Sequence, residues 1–159
     1  MASNFERMIQ LAEEVFDVKN DPGQLDVDEK VLERLIKIHP STVSEYDDGN
    51  GPVAWILLIP TSLELMNNFI HNKISEKELF ELTPLNSTYE TIYLCSGLVL
   101  KEYRRKGIAK QLSLAAIESI CKEHPIKALF AWSFTKEGDS GAEKIAELTA
   151  LPLYKRISF

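Results

Sequence analysis

The sequence contains few of the side chains that build metal sites or disulfide scaffolds. Its 159 residues include two cysteines, Cys95 and Cys121, and three histidines that stand singly at positions 39, 71 and 124. Structural zinc sites need Cys or His ligands at short, characteristic spacings, and disulfide-rich domains need more cysteines than this. The sequence therefore predicts two free thiols and no bound metal.

Long apolar runs are also missing. The longest run, residues 53–59, ends at Pro60, well short of the roughly 20 residues that cross a bilayer. Residues 1–7 have neither the apolar segment of a secretory signal nor the Arg-rich character of a transit peptide. We therefore expect a cytoplasmic protein with no membrane association.

Positive charge is scarce overall and unevenly distributed. The net charge is −6, but residues 1–100 carry 17 acidic and 7 basic side chains, whereas residues 101–159 carry 7 acidic and 11 basic ones. A general affinity for nucleic acid is not expected, because it needs a basic face to displace counterions from phosphates. The asymmetry favours an anionic ligand near the C-terminal part and an acidic surface elsewhere.

The length and the 45% apolar content predict one domain over residues 1–159. Apolar spacings of three and four predict a helix over about 4–18, and Asp26 is expected to open a second helix that ends near His39-Pro40. A β-hairpin follows, with arms at 42–46 and 52–60, and residues 61–83 return to helical spacing as one or two short helices.

The second half alternates strands and helices. A strand is predicted over 88–100, with Ile92, Leu94, Ser96, Leu98 and Leu100 on one face and the intervening residues on the other. A helix over about 106–122, a strand over 126–134, a helix over about 139–150 and a strand over 153–159 complete the chain. The predicted fold is α/β (α+β): a mixed, mostly antiparallel central sheet flanked by helices, with additional N-terminal helices.

A basic turn leads from the strand at 88–100 directly into the next helix. The amides at a helix N-terminus lack partners and carry partial positive charge, so such a turn suits a pyrophosphate. Gly107 permits close approach of the backbone. Five cations surround it against the single Glu102: Lys101, Arg104, Arg105, Lys106 and Lys110.

The pattern Arg104-x-x-Gly107-x-Ala109 resembles motif A of the GNAT superfamily of N-acetyltransferases. In that motif a strand ends in Gln or Arg, and two variable residues, a Gly, one variable residue and a Gly or Ala follow it. The resemblance is specific over about 90–123 and extends to 159 by element order. It implies an acetyl-CoA-dependent acyltransferase with no metal. Residues 86–159 would form the CoA-binding part and residues 1–85 the variable, acceptor-side part.

The resemblance also implies a set of site residues. Backbone groups of Gly97, Leu98 and Val99 would pair with the acetyl-pantetheine arm, while the strand from Ile126 splays away to admit it. Amides of residues 105–110 would hold the pyrophosphate. The implied cofactor-binding residues are therefore Gly97, Leu98, Val99, Arg104, Arg105, Lys106, Gly107, Ile108, Ala109 and Lys110.

The catalytic groups are less well defined by the sequence. The family often places a Glu on the central strand as general base, and the matching residue here is Tyr93, which could relay a proton through water. An aromatic side chain at this spacing is more often part of the core. Many members protonate the leaving thiolate with a Tyr in the helix after the next strand, but residues 139–150 contain no Tyr, and Tyr154 is the nearest one.

The acceptor is expected to be a small-molecule or peptide amine, and the acidic surplus of residues 1–100 favours a cationic one. The chain would act as a monomer or homodimer. One alternative is a non-catalytic acyl-CoA-binding regulatory or scaffold protein on the same fold. Two others are a nucleotide-binding module, although the turn lacks a Gly-Lys-Ser/Thr signature, and an interaction protein that uses its N-terminal helices.

Overall fold

The computed structural model of the protein describes residues 2–19, 23–25, 28–133 and 136–156. The elements follow the predicted order, with 3₁₀ turns at Pro40–Thr42 and Lys101–Tyr103 as additions. They are α1 (Asn4–Lys19), α2 (Glu29–Ile38), β1 (Val43–Asp47), β2 (Pro52–Thr61), α3 (Leu63–Ile70), α4 (Glu76–Leu82), β3 (Thr91–Val99), α5 (Ile108–Glu123), β4 (Ala128–Ala131), α6 (Lys136–Thr149) and β5 (Leu153–Lys155).

The five strands form one sheet in the order β1-β2-β3-β4-β5. The β1–β2 and β2–β3 pairs are antiparallel, and the β3–β4 and β4–β5 pairs are parallel. Parallel neighbours require a crossover connection, which α5 and α6 supply. Most of the paired residues lie in the antiparallel half, so the predicted mixed, mostly antiparallel sheet is confirmed.

Helices cover both faces of the sheet. On one face, Ile117 and Ile120 of α5 and Ala146 of α6 pack against Ile56 and Ile92. On the other face, α1 contributes Met8 to a small cluster around Val53 and Leu98, while α2, α3 and α4 pack over a larger cluster. Apolar burial on both faces makes the central strands almost uniformly apolar, as the sequence predicts.

A β-bulge interrupts β3 in its middle. Ser96 lies opposite Leu57 and Leu94 lies opposite Leu58, so Cys95 has no partner across the β2–β3 ladder. An extra residue reverses the alternation of side chains beyond it. The expectation of one unbroken alternation over 88–100 was therefore wrong, because Leu98 and Leu100 pack beside Met8, on the face of Tyr93 rather than that of Ile92.

Several element boundaries also differ from the predicted ones. Helix α2 begins at Glu29 because the Asp28 carboxylate accepts a hydrogen bond from the Val31 N–H, which makes Asp28 the N-cap. Asp26, the predicted start, lies outside the described residues. Strand β4 ends at Ala131 and β5 at Lys155. The sequence predicts that these strands extend to Phe134 and to residue 159, but Phe134 and residues 157–159 lie outside the described residues.

No helix within the described residues is long and apolar enough to cross a membrane.

Candidate active site

The edge of β3 that faces β4 is open over its second half. The two strands pair from Thr91 with Ala128 to Leu94 with Ala131, and no pair follows within the described part of the chain. Beyond this point β3 continues to Val99 and is paired only with β2. The pairing thus ends where the sequence predicts that the strand from Ile126 splays away, and it leaves a strand edge whose backbone groups can pair with an extended ligand.

The direction of the backbone groups along this edge follows from one hydrogen bond. The Leu100 N–H donates to the Val53 carbonyl at 2.9 Å, so it points toward β2. Successive N–H groups of an extended strand point to opposite edges. The N–H groups of Gly97 and Val99 therefore point toward the open edge. The N–H of Leu98, which lies opposite Trp55, points toward β2.

Arg104 is the residue that connects the strand end with the turn. Its Nε donates to the Val99 carbonyl at 3.0 Å, and its side chain is exposed. The bond occupies an acceptor on the open edge. An incoming strand-like ligand would compete with Arg104 for this carbonyl.

The turn between β3 and α5 contains two residues in the left-handed region. After the 3₁₀ turn Lys101–Tyr103, Arg105 has φ 65° and Gly107 has φ 78°. A glycine adopts this conformation without strain, whereas an Arg with its Cβ does so at a cost of about 1–2 kcal/mol. Gly107 is therefore required by the backbone conformation, and Arg105 marks a constrained point of the turn.

The N-terminus of α5 has no side-chain cap. Gly107 is its N-cap residue, no acidic residue lies in the first turn, and the first hydrogen bond within the helix runs from the Gln111 N–H to the Gly107 carbonyl at 2.9 Å. The N–H groups of Ile108, Ala109 and Lys110 thus lack partners within the helix. They form an electropositive position next to Gly107.

The cations of this region remain exposed. Within the described residues none of the five forms an ion pair: Lys101, Arg104, Arg105, Lys106 and Lys110. Basic side chains near a helix N-terminus oppose its dipole, which an anionic ligand would relieve. The predicted cofactor-binding residues therefore fall into two neighbouring groups, the end of β3 and the turn into α5.

Tyr93, the predicted catalytic residue, lies apart from these groups. Its side chain is fully buried, with the ring 4.9 Å from that of Phe69 and 5.0 Å from that of Phe130. Its hydroxyl donates to Glu76 Oε2 at 2.6 Å. Burial, followed by the charge of Glu76, raises the pKa of Tyr93 well above its usual value. This environment favours a structural role, so catalysis by Tyr93 stays a prediction.

The structure also brings together two histidines that the sequence treats as isolated. The ring centres of His39 and His124 lie 5.9 Å apart at the C-terminal end of α5, and His39 Nε2 lies 2.8 Å from Glu123 Oε2. Each histidine is the C-cap of a helix and precedes a proline. The two His-Pro dipeptides mark helix ends in the sequence, but they do not indicate that these ends meet.

The hydrogen bonds of these histidines do not suit a metal ion. Ser41 N–H donates to His39 Nδ1 at 3.0 Å, and Tyr89 N–H donates to His124 Nδ1 at 3.3 Å. Because Nδ1 accepts in both rings, a neutral ring carries its proton on Nε2 and has no lone pair left for a metal. We interpret the cluster of His39, Glu123 and His124 as a hydrogen-bonded contact between α2 and α5.

The comparisons with known proteins agree with this architecture, that of a mixed α/β protein whose sheet opens beside a basic strand-to-helix turn. A model of the Acetyltransferase (GNAT) family matches residues 6–148. No curated protein matches the chain. Because the family model covers most of its length, the chain belongs to the GNAT acetyltransferase family.

Solved structures of acetyltransferases are similar to this chain at low identity, and the first of them shows the same fold. An aminoglycoside acetyltransferase from an uncultured soil metagenomic sample, in complex with trehalose, is 18% identical, covers 90% of this chain and 77% of its own, and has a TM-score of 0.50. A possible acetyltransferase from Clostridium difficile 630 is 17% identical, with 96% and 89% covered and a TM-score of 0.44. The xEco2 acetyltransferase domain, bound to a CoA conjugate, is 14% identical, with 97% and 86% covered and a TM-score of 0.43.

Proposed function

We propose that this protein is an N-acetyltransferase that transfers the acetyl group of acetyl-CoA directly to an amine. The observation that carries the proposal is the adjacency of an open β3 edge and an uncapped, basic α5 N-terminus, joined by the Arg104 to Val99 hydrogen bond. A strand edge suits an amide-containing arm, and a helix N-terminus suits a pyrophosphate. CoA carries both groups in series.

The pantetheine arm would lie along β3 as an additional strand. Gly97 and Val99 direct backbone groups to the open edge, so they would pair with the amides of the arm, and Arg104 would release the Val99 carbonyl. Leu98 would not pair with the arm, because its N–H points toward β2, and it would contribute through the packing of its side chain beside Met8. Gly97 is exposed and has no side chain, which leaves room for the arm along the strand.

The pyrophosphate would bind at the turn. The amides of residues 105–110 surround Gly107, and the exposed cations on both sides add charge. Charge-assisted hydrogen bonds from amides and cations are stronger than neutral ones. The proposal therefore assigns binding of the phosphates to Arg105, Lys106, Gly107, Ile108, Ala109 and Lys110.

The transfer itself would be a direct substitution. The neutral amine nitrogen attacks the thioester carbon, the carbonyl oxygen gains negative charge, and the C–S bond then breaks to leave the CoA thiolate. A β3 amide at the open edge, such as that of Val99, would stabilise the oxyanion. The amine proton passes to a base or to water, and the thiolate takes up a proton from solvent or an acid. Positioning of the two reactants supplies much of the rate.

The acceptor would be a small-molecule or peptide amine held on the acidic N-terminal part. Residues 1–100 carry the acidic surplus, which favours a cationic amine. Aminoglycosides, named for one structural neighbour, are amines of this type. At 18% identity that neighbour supports only the fold, so charge alone carries the preference. We further propose one domain over 1–159, a cytoplasmic location, and a monomer or homodimer.

A second candidate is a non-catalytic acyl-CoA-binding protein on the same fold. Two observations favour it. Helix α6 contains no Tyr to protonate the thiolate, and the Tyr93 hydroxyl already donates its hydrogen bond to Glu76. Such a protein would bind acetyl-CoA without turnover on any amine.

Calorimetric titration with acetyl-CoA, CoA and ATP tests the proposal. Binding of both CoA ligands with weaker binding of ATP supports the site, because ATP lacks the pantetheine arm. No binding of CoA would refute it. Release of free thiol from acetyl-CoA with a panel of cationic and neutral amines then separates the enzyme from the non-catalytic alternative.

A further inference from the structure

The first half of the coenzyme-binding turn is bonded to two remote parts of the chain. The Tyr103 hydroxyl donates to the Asp48 carboxylate in the β1–β2 turn, 55 residues away in sequence. Arg7 Nη2 on α1 donates to Glu102 Oε1 at 2.6 Å. The 3₁₀ turn at the end of β3 is thereby joined to both the hairpin and the first helix.

Asp48 is itself held in place. Its Oδ1 accepts from the Asn50 N–H at 2.8 Å and from Asn4 Nδ2 at 3.3 Å. These contacts, after that with Tyr103, lower the pKa of Asp48, and the same Tyr103 to Asp48 bond raises the pKa of Tyr103. Asp48 is therefore ionised at neutral pH and offers a fixed acceptor to the tyrosine.

Tyr103 in turn lies beneath the turn that follows it. Lys106 Nζ lies 5.4 Å from the centre of the Tyr103 ring, and the ring packs against the cluster of Met8, Val53 and Leu100. Arg105, which lies between Tyr103 and Lys106 in the sequence, has a positive φ that a residue with a Cβ disfavours. Such a conformation persists when its surroundings fix it, and Tyr103 is fixed through both its ring and its hydroxyl.

We propose that the Tyr103 to Asp48 hydrogen bond positions the coenzyme-binding turn, so that Tyr103 and Asp48 set coenzyme affinity without touching the ligand. The inference rests on the proposed function, because it concerns the same turn. Removal of the bond would let the turn sample conformations in which the amides near Gly107 no longer converge. Part of the binding energy would then be spent on ordering the turn.

The Arg7 to Glu102 pair contributes less to this effect. Its side chains are 36% and 51% exposed, and exposed ion pairs are weak and screened by salt. The Tyr103 to Asp48 bond is half-buried, so solvent and salt screen it less than the exposed Arg7 to Glu102 pair. The test therefore addresses this bond.

The test is a double-mutant cycle in the dissociation constant of CoA, measured by calorimetry. Tyr103→Phe keeps the ring under Lys106 and removes the hydroxyl, and Asp48→Ala removes the acceptor. Each should raise the dissociation constant about tenfold. The double variant should bind no worse than the weaker-binding single variant, because both changes remove the same Tyr103 to Asp48 bond and Asp48→Ala alone already removes the Asn50 and Asn4 contacts. Asp48→Asn keeps an oxygen acceptor and should restore part of the affinity.

The matched control is Tyr46→Phe. Tyr46 lies on β1 in the same hairpin, 45% exposed, and its hydroxyl has no hydrogen-bond partner within the described residues. Its removal should leave the dissociation constant unchanged. Thermal unfolding of each variant shows whether it is folded at the temperature of the titration.

The outcomes separate this inference from the proposed function. If wild-type protein binds CoA and Tyr103→Phe binds it equally well, the positioning role is refuted while the function stands. The same holds if the two single effects simply multiply in the double variant, or if only the unfolding temperature falls. If wild-type protein does not bind CoA, the proposed function fails and this inference fails with it.

Discussion

The Tyr93 hydroxyl donates a 2.6 Å hydrogen bond to Glu76 Oε2 in the protein interior. Tyr93 lies on the central strand β3, and Glu76 begins α4, where its Oε1 also accepts from the Leu25 N–H at 2.7 Å. The carboxylate is only 2% exposed. A buried charge is tolerated when donors surround it, so Glu76 connects α4, the segment before α2 and the sheet through paired hydrogen bonds.

Removal of the Tyr93 hydroxyl should therefore destabilise the fold. Tyr93→Phe takes one donor from a buried carboxylate, which should lower the free energy of unfolding by about 1–3 kcal/mol, as urea denaturation would measure. Tyr154→Phe, at a tyrosine that is 45% exposed, should change it by less than about 0.5 kcal/mol.

The same variant tests the catalytic prediction for Tyr93. Once an acceptor amine is known, a purely structural role should leave kcat of the folded Tyr93→Phe variant close to that of the wild type. A fall in kcat of about 100-fold or more would show that the hydroxyl takes part in proton transfer.

Gly107 offers a test of the turn geometry. Gly107→Val should abolish detectable CoA binding, because its φ of 78° is strongly unfavourable for a β-branched residue. The space around the position is open, with Lys110 Cε 3.8 Å from an added Cβ, so the variant should fold. Gly107→Asn, a residue that tolerates positive φ, should bind CoA more tightly than the Val variant. Equal and wild-type-like affinities of both would contradict the assignment of Gly107.

The charge at the two ends of α5 offers a matched pair of substitutions. Lys110→Gln, in the first turn, should weaken CoA binding several-fold, and the difference from wild type should shrink at high salt. Lys122→Gln removes the same charge about 18 Å further along the helix and should leave affinity unchanged. If both variants weaken binding equally, the effect is one of net charge rather than of a local site.

His124 should make stability depend on pH. Burial, and after it the neighbouring His39, lower the pKa of His124, whereas Glu123 raises it. The folded state thus favours the neutral ring. Its stabilising contribution is complete above the unfolded pKa of about 6.5 and is lost as pH falls through the lower folded pKa.

His124→Gln should therefore flatten the fall in unfolding free energy between about pH 7 and pH 5 relative to wild type. His71→Gln, at an exposed histidine whose Nδ1 lies 2.7 Å from the Asn67 carbonyl oxygen, serves as the control. A steeper profile for His124→Gln than for wild type would show that the sign of this argument is wrong.

Patterns local in sequence predicted much of this protein. Apolar periodicity located the helices and strands, and a glycine in a basic strand-to-helix turn indicated the family, which the match over residues 6–148 confirms. Both signals depend on residues close together in the chain. They carry over to the structure because α5 follows β3 directly and brings its N-terminus to the strand end.

Contacts between distant segments were not predictable in the same way. The extra residue at Cys95 leaves no mark in a strand that is apolar on both faces, so the alternation could not show the bulge. The Glu76 to Tyr93 and Asp48 to Tyr103 bonds join residues whose proximity depends on how the hairpin and the inserted helices fold back. Asp28 was missed because Asp26 and Asp28 are equally good capping residues by type.

The bulge at Cys95 divides β3 into two segments with opposite phase. Before it, odd-numbered side chains lie on the face of α1 to α4; after it, even-numbered ones do. Deleting that single residue would remove the bulge and leave Leu98 opposite Trp55 on its present face, because the pairs Leu94–Leu58 and Ser96–Leu57 would then follow one another in a regular ladder. In a comparison with a relative that lacks the bulge, a gap of one position here keeps the two faces in register, whereas an alignment without the gap exchanges them over the whole strand end.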